Sequence, residues 1–272
     1  MARIGLVLLV CLFASCATSV NKPGSKVLSL AERDNVFASQ NNFENILNAN
    51  DPIFVGISNN KCIKKWHDVY AEHKAKLKNT TKLSSKIQSW FVLGTCFAYA
   101  KSFKKTLYYY ELVLSQPNIS SDLRAKINFN IAQMYEVKSQ VGLARLYYQK
   151  SAAHIKTQKI SIFKQAVLDL HSHEFNSSIA MLNKLNRLVK KSELVDFLRG
   201  VNYYHLNKKR HLNNKVLNQM DEKSVGSILL KMAVDVHEKK NVETLETDLR
   251  NLEVNFKLHR DFKNHLLKKL GS

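Results

Sequence analysis

The chain has 272 residues, of which 45% are hydrophobic and 24% charged, and its formal net charge is +20. That length and apolar content allow a sizeable core and exclude a largely disordered chain, while 8 glycines and 3 prolines are too few for an all-β fold with many tight turns. The basic balance attracts anionic surfaces without choosing among nucleic acid, lipid head groups and acidic proteins.

At the start of the chain Arg3 precedes an apolar run from Ile4 to Phe13, and small residues follow. Such a run falls short of the roughly 20 residues a membrane-spanning helix needs. Residues 1–15 are therefore predicted to be a signal peptide. Phe13, Ala14, Ser15 and Cys16 resemble the lipobox of bacterial lipoproteins, with Phe13 standing where Leu, Val or Ile is usual. The resemblance implies cleavage before Cys16 and a diacylglycerol on its sulfur, so the chain would meet the membrane through a lipid anchor. Ordinary cleavage after Ala17, giving a secreted or soluble periplasmic product, is the alternative. Ala17 stands where an Asp would mark retention at the inner membrane, which implies the periplasmic face of the outer membrane. Loss of residues 1–15 removes Arg3 alone among the basic residues, so the chain stays strongly cationic.

Residues 16–58 read as a flexible tether: Ser, Asn, Lys and Gly recur without a sustained period, and Asp51 with Pro52 marks a break. An α-helical domain is predicted over 59–272, where apolar residues recur at three- and four-residue intervals between short polar turns. Its first two helical patterns, around 59–77 and 84–100, flank the polar segment Lys78 to Lys82. Cys62 and Cys96 lie equidistant from that turn, so an antiparallel hairpin would set them opposite each other. Two readings fit: a disulfide, stabilising by about 3 to 4 kcal/mol, or two unrelated buried thiols.

Farther along, Trp90, Leu93, Gly94 and Phe97, then Thr106 and Tyr110, align with Ile131, Ala132 and Tyr135, then Ala144 and Tyr148, at an offset of 38. Ala166, Ser178 and Leu182 follow at a further 34, and Gly200 with Tyr203 at another 34. These residue types and spacings resemble tetratricopeptide repeats, most clearly over 87–220. The resemblance implies a solenoid of antiparallel helix pairs in which the small pairs Gly94 with Thr106, Ala132 with Ala144, and Ala166 with Ser178 let helices approach closely. The sequence departs from the family pattern at Asn128 and Asp196, where a large residue is usual, at Asp169 in place of an aromatic, and at Leu212 in place of a small residue. Helical patterns at 223–239 and 242–270 are expected to form one degenerate pair capping the array.

In the family's register Phe91, Phe129, Phe163 and Phe197 share one position, which faces the concave groove. An aromatic ladder for a partner's apolar side chains is one reading, with Tyr99, Tyr204, His171 and His205 nearby. Packing of the same rings between repeats, in place of the large residue missing at Asn128 and Asp196, is the other. Basic clusters at 61–65, 101–105, 190–191 and 208–210 read as solvated helix ends. Asp169, His171, His173 and Glu174 read as a polar turn, because His171 and His173, two apart, point to different sides of a helix. No phosphate-cradling loop, serine elbow or cysteine–histidine nucleophile signature occurs. The expectation is a non-catalytic scaffold or assembly factor in the bacterial envelope, holding a protein partner of acidic character. No metal, cofactor, small-molecule substrate or nucleic acid is expected. A basic module that binds polyanions or cell wall through surface charge is the alternative.

Overall fold

The computed structural model describes residues 54, 62, 66–189, 192–240, 242–254 and 257–271. The expected signal peptide (1–15), the lipidation residue Cys16 and all of the expected tether (16–58) except Phe54 lie outside the described residues. Among the described residues the chain is all-helical, with twelve α-helices, one 3-10 turn and no strand. The helices are α1 (Trp66–Asn79), α2 (Leu83–Tyr99), α3 (Phe103–Leu114), α4 (Ser121–Val137), α5 (Val141–Ser151), α6 (Ile155–His171), α7 (Phe175–Asn186), α8 (Glu193–His205), α9 (Lys209–Lys215), α10 (Val225–Glu238), α11 (Val242–Asn251) and α12 (Lys257–Leu270), with the 3-10 turn at Leu217–Gln219. No helix among them is long and apolar enough to cross a membrane.

Local chemistry sets where several helices begin and end. The Ser120 hydroxyl accepts from the Leu123 N–H at the start of α4, and Ser224 accepts from Ser227 at the start of α10, which satisfies donors that a helix leaves open at its first turn. At the other end, α2, α4, α6, α8 and α10 stop in one common way. Lys101, Ser139, His173, Asn207 and Lys239 all have φ between 54° and 60°, spaced 38, 34, 34 and 32 residues apart. The residue after each returns its N–H to a carbonyl in the last turn: Ser102 to Phe97, Gln140 to Tyr135, Glu174 to Asp169, Lys208 to Tyr203 and Lys240 to Asp235, at 2.8–3.0 Å. This is the Schellman arrangement, in which a left-handed residue satisfies orphan carbonyls and turns the chain sharply.

Those turns fold α3 back on α2, α5 on α4 and α7 on α6, and α2, α4 and α6 then touch in succession. Small residues sit at the crossings. A methyl added to Gly94 would stand 2.7 Å from the Tyr110 ring, and Ala132 and Ala144 are fully buried in one cluster. Ser178 approaches α6 closely enough to donate to the Ala166 carbonyl at 2.8 Å. The pattern changes at the fourth turn, where α9 is only seven residues long and Gly200 packs instead against Leu230 of α10. A bulky Leu212 stands where a small residue would be needed for close approach, and it is buried alongside Val216 and Leu229.

Apolar burial follows the chain in steps. Tyr110, Val113, Ile127 and Ile131 form one cluster; Phe129, Tyr148, Phe163, Leu182 and Leu198 belong to the next; and Phe197, Leu229, Leu249, Phe262 and Leu266 to a third. The expected helical stretch 242–270 is broken by non-helical Leu252–Val254 into α11 and α12. Leu245 and Leu266 would lie about 30 Å apart on a single straight helix, yet they share the third cluster, so the break is what allows both to be buried. At the front, Cys62 and Cys96 are joined by a disulfide with their Cα atoms 4.9 Å apart, and both are buried.

Candidate functional site

The common caps supply a register for comparing α2, α4, α6 and α8. Phe91, Phe129, Phe163 and Phe197 each lie ten residues before the left-handed residue. Three of them are closed off: Phe129, Phe163 and Phe197 are 2%, 0% and 1% exposed. Phe91 is half-buried, with its ring 6.2 Å from that of Tyr110. Phe129, Phe163 and Phe197 are thus packed in the core and present no ladder to a ligand, whereas Phe91 stays partly open. Beside the smaller, polar Asn128 and Asp196, the rings of Phe129 and Phe197 fill the space between helices: Phe129 meets Tyr148 edge-on at 5.6 Å, and Phe197 meets Phe262 at 5.8 Å.

A second register row lies two turns farther along, in the last turn of each helix. It comprises Ala98 and Tyr99 on α2, Glu136 and Val137 on α4, Leu170 and His171 on α6, and Tyr204 and His205 on α8. Tyr99 and Tyr204, both expected to lie near a groove, fall in this row, although one register position apart. Segments of the chain itself cover its two ends. At the first end Phe54 is buried against Ala98 and Met134, with Tyr99 and Phe103 alongside. The Tyr99 hydroxyl donates to the Phe54 carbonyl at 3.2 Å, and the two rings meet edge-on at 4.9 Å.

At the far end lies α12. Leu258, Phe262 and Leu266 fall at intervals of four on this helix, which places them on one face. Phe262 and Leu266 are buried, and Leu258 packs against the second and third clusters. Phe262 meets Tyr204 edge-on at 5.5 Å, His265 stands 5.2 Å from His205, and Lys269 Nζ donates to the Tyr204 hydroxyl at 3.1 Å. His205 is sandwiched, since its other neighbour, Phe175, stacks on it at 4.8 Å. Burial pushes His205 down to about 4, helped by the nearby His265, His173 and Lys269. Burial alone pushes His259 to about 4, and its ring lies 4.2 Å from Phe197. Burial and then Lys269 and Lys268 lower His265 as well.

Between the covered ends the row is more open and mixes the apolar Val137 and Leu170 with the polar Glu136 and His171. Lys164 donates to Glu136 at 2.8 Å, the buried Tyr148 hydroxyl donates to the same carboxylate, and Val137 remains 49% exposed. This ion pair joins α4 to α6. Of the residues expected to form a polar turn, Asp169 and His171 instead lie in the last turn of α6 and only His173 and Glu174 fall in the turn. Asp169 makes a second ion pair: it is fully buried and accepts two bonds from Arg145, at 2.9 and 2.6 Å, and one from Ser177 at 2.6 Å. Glu174 also lies 3.0 Å from Arg145. Asp169 thus braces α5, α6 and α7, and among the described residues no group of three or more His, Cys, Asp or Glu is placed to hold a metal ion.

Sequence reading places Tyr99, Tyr204, His171 and His205 near a groove, but that they share one row with Glu136, Val137 and Leu170 escapes it, because these residues have no chemistry in common. The signal that exposes it is the recurrence of the left-handed caps, and only the backbone displays that. No protein-family model, no curated protein and no solved structure matches the chain.

Proposed function

We propose that this chain is a non-catalytic protein-binding scaffold, a tetratricopeptide-like solenoid whose working face is the last-turn row from Tyr99 to His205. One observation carries the reading: the row accepts an aromatic side chain at one end and an amphipathic helix at the other, both from this chain. A surface that seats such elements in cis has the shape and apolar character to seat them in trans. The equal caps and the small residues at the helix crossings support the repeat reading, and the stepwise clusters fit an array in which each pair is buried only by its neighbours. On this reading the lipid on Cys16 and the tether hold the scaffold at the periplasmic face of a bacterial outer membrane, where it recruits or assembles another envelope protein.

A photo-crosslinking residue at Val137, in the open middle of the row, tests the proposal against the same residue at Ile155, which is 80% exposed at the start of α6. In intact envelopes the Val137 probe is expected to yield one discrete protein adduct, retained in roughly 0.5 M salt, where exposed charge interactions are screened. An adduct of equal yield at Ile155, or none at Val137, sinks the reading. Retention of the chain on envelopes that collapses at that salt concentration would favour the polyanion or cell-wall module, which the charge of +20 recommends.

A further inference from the structure

The far end of the row is crowded with imidazoles. His205 on α8 faces His265 and Lys269 from α12, and Phe175 and His173 from the start of α7 and the turn before it, while Lys268 acts with Lys269 on His265. Tyr204 lies beside it on α8. Farther up α12, His259 sits against Phe197, while Lys257 is paired with Asp261 at 2.7 Å and His171 lies within electrostatic reach of both and of Glu136 and Lys164. The carboxylates that act on His171, Glu136 and Asp261, thus lie by the first turns of α12, whereas the groups that act on His205 and His265 near its end are histidines and lysines. Neutral rings pack there at van der Waals distance, whereas protonated rings would set like charges side by side.

We propose that α12 is a removable occupant of the row, docked over Tyr204 and His205 at neutral pH and released in acid, which frees that face for an acidic amphipathic helix from a partner. The proposal rests on the scaffold reading of the row. Partner chemistry follows from what α12 itself presents: an apolar stripe with the spacing of Leu258, Phe262 and Leu266, but with carboxylates where α12 has His265 and Lys269. Such a helix would keep the apolar contacts and pair with a protonated His205.

The sign follows from the two states. Released, an imidazole takes up its proton near the ordinary 6.5; docked, His205 and His259 do so only near 4. Docking is therefore unopposed above about 6.5 and weakens as the pH falls from there towards 4.

Hydrogen exchange on the full chain at about pH 7.5 and pH 5, corrected for intrinsic rates, reads the release directly. Protection of amides 260–270 should fall at least about tenfold in acid, the equivalent of one unit of linked pKa difference, while α2 to α5 stay protected. The H205Q/H265Q variant should keep α12 protected to a lower pH. A labelled peptide of residues 257–270 carrying His265→Glu and Lys269→Glu should bind the full chain at least about tenfold more tightly at pH 5 than at pH 7.5. Undiminished protection of α12 in acid overturns the proposal, as does a loss shared in one step with α2 to α5. Release of H205Q/H265Q at the parent's pH, or peptide binding that does not strengthen in acid, also overturns it. A Val137 adduct with α12 still protected in acid would sink the gate and leave the scaffold. Acid release and peptide binding without a Val137 adduct would do the reverse.

Discussion

Single residues decide how closely the helices approach. Gly94 faces Tyr110, whose buried hydroxyl receives a bond from Asn130 and, since the Thr95 hydroxyl donates to the Phe91 carbonyl, gives its own proton to Thr95. Its hydroxyl is held by two buried bonds, so the ring cannot easily swing away. Gly94→Ala should therefore destabilise the chain by about 1 to 3 kcal/mol through overpacking. Ser139→Gly should act in the opposite sense, stabilising by about 1 kcal/mol, because a non-glycine residue pays for its left-handed backbone at that cap. Urea denaturation of the two variants checks both signs. Gly94 with Thr106 and Ala132 with Ala144 were legible in the sequence because small residues at a fixed spacing have one physical purpose. The fate of Phe129 and Phe197 was not. An aromatic at a helical position reads the same whether it faces a neighbour or water, and the space beside Asn128 and Asp196 decides it only once the helices are packed.

At the scale of the helices, buried charge links pairs that apolar contact alone would leave free to slide. Asp169 on α6 receives Arg145 from α5 and Ser177 from α7, so one carboxylate fixes the relation of three elements. Arg145→Met should cost about 3 kcal/mol, since it strands a buried charge, and adding Asp169→Asn should return part of that loss. Equilibrium unfolding of the single and double variants measures it, and strict additivity of the two changes would contradict the pairing. The helices themselves were largely legible from three- and four-residue periodicity, and the break between α11 and α12 was not. Leu245, Leu249 and Leu252 before it and Leu258, Phe262 and Leu266 after it each keep a helical rhythm, and rhythm does not say that a chain has doubled back. Where α12 comes to rest is equally silent in sequence, because its stripe of Leu258, Phe262 and Leu266 would fit many apolar faces.

Across the whole molecule, burial runs in consecutive clusters, each shared by neighbours in sequence. Contacts of that kind are local, so the two ends of the described chain need not open together. The disulfide gives this arrangement a mechanical consequence. It closes a loop of sequence separation 34 between Cys62 and Cys96, so tension applied to residues before Cys62 crosses the sulfur pair directly into the last turn of α2. The intervening α1 and most of α2 carry no load. Pulled from its two termini, the oxidised chain should extend about 12 nm less on full unravelling than the reduced chain, at about 3.5 Å for each shielded residue. Equal extensions in single-molecule stretching would mean that the shortcut is absent. A strained linkage from the front of the molecule would thus spare the first hairpin and load the second helix, which anchors the array at the point where Gly94 and Tyr110 lock it.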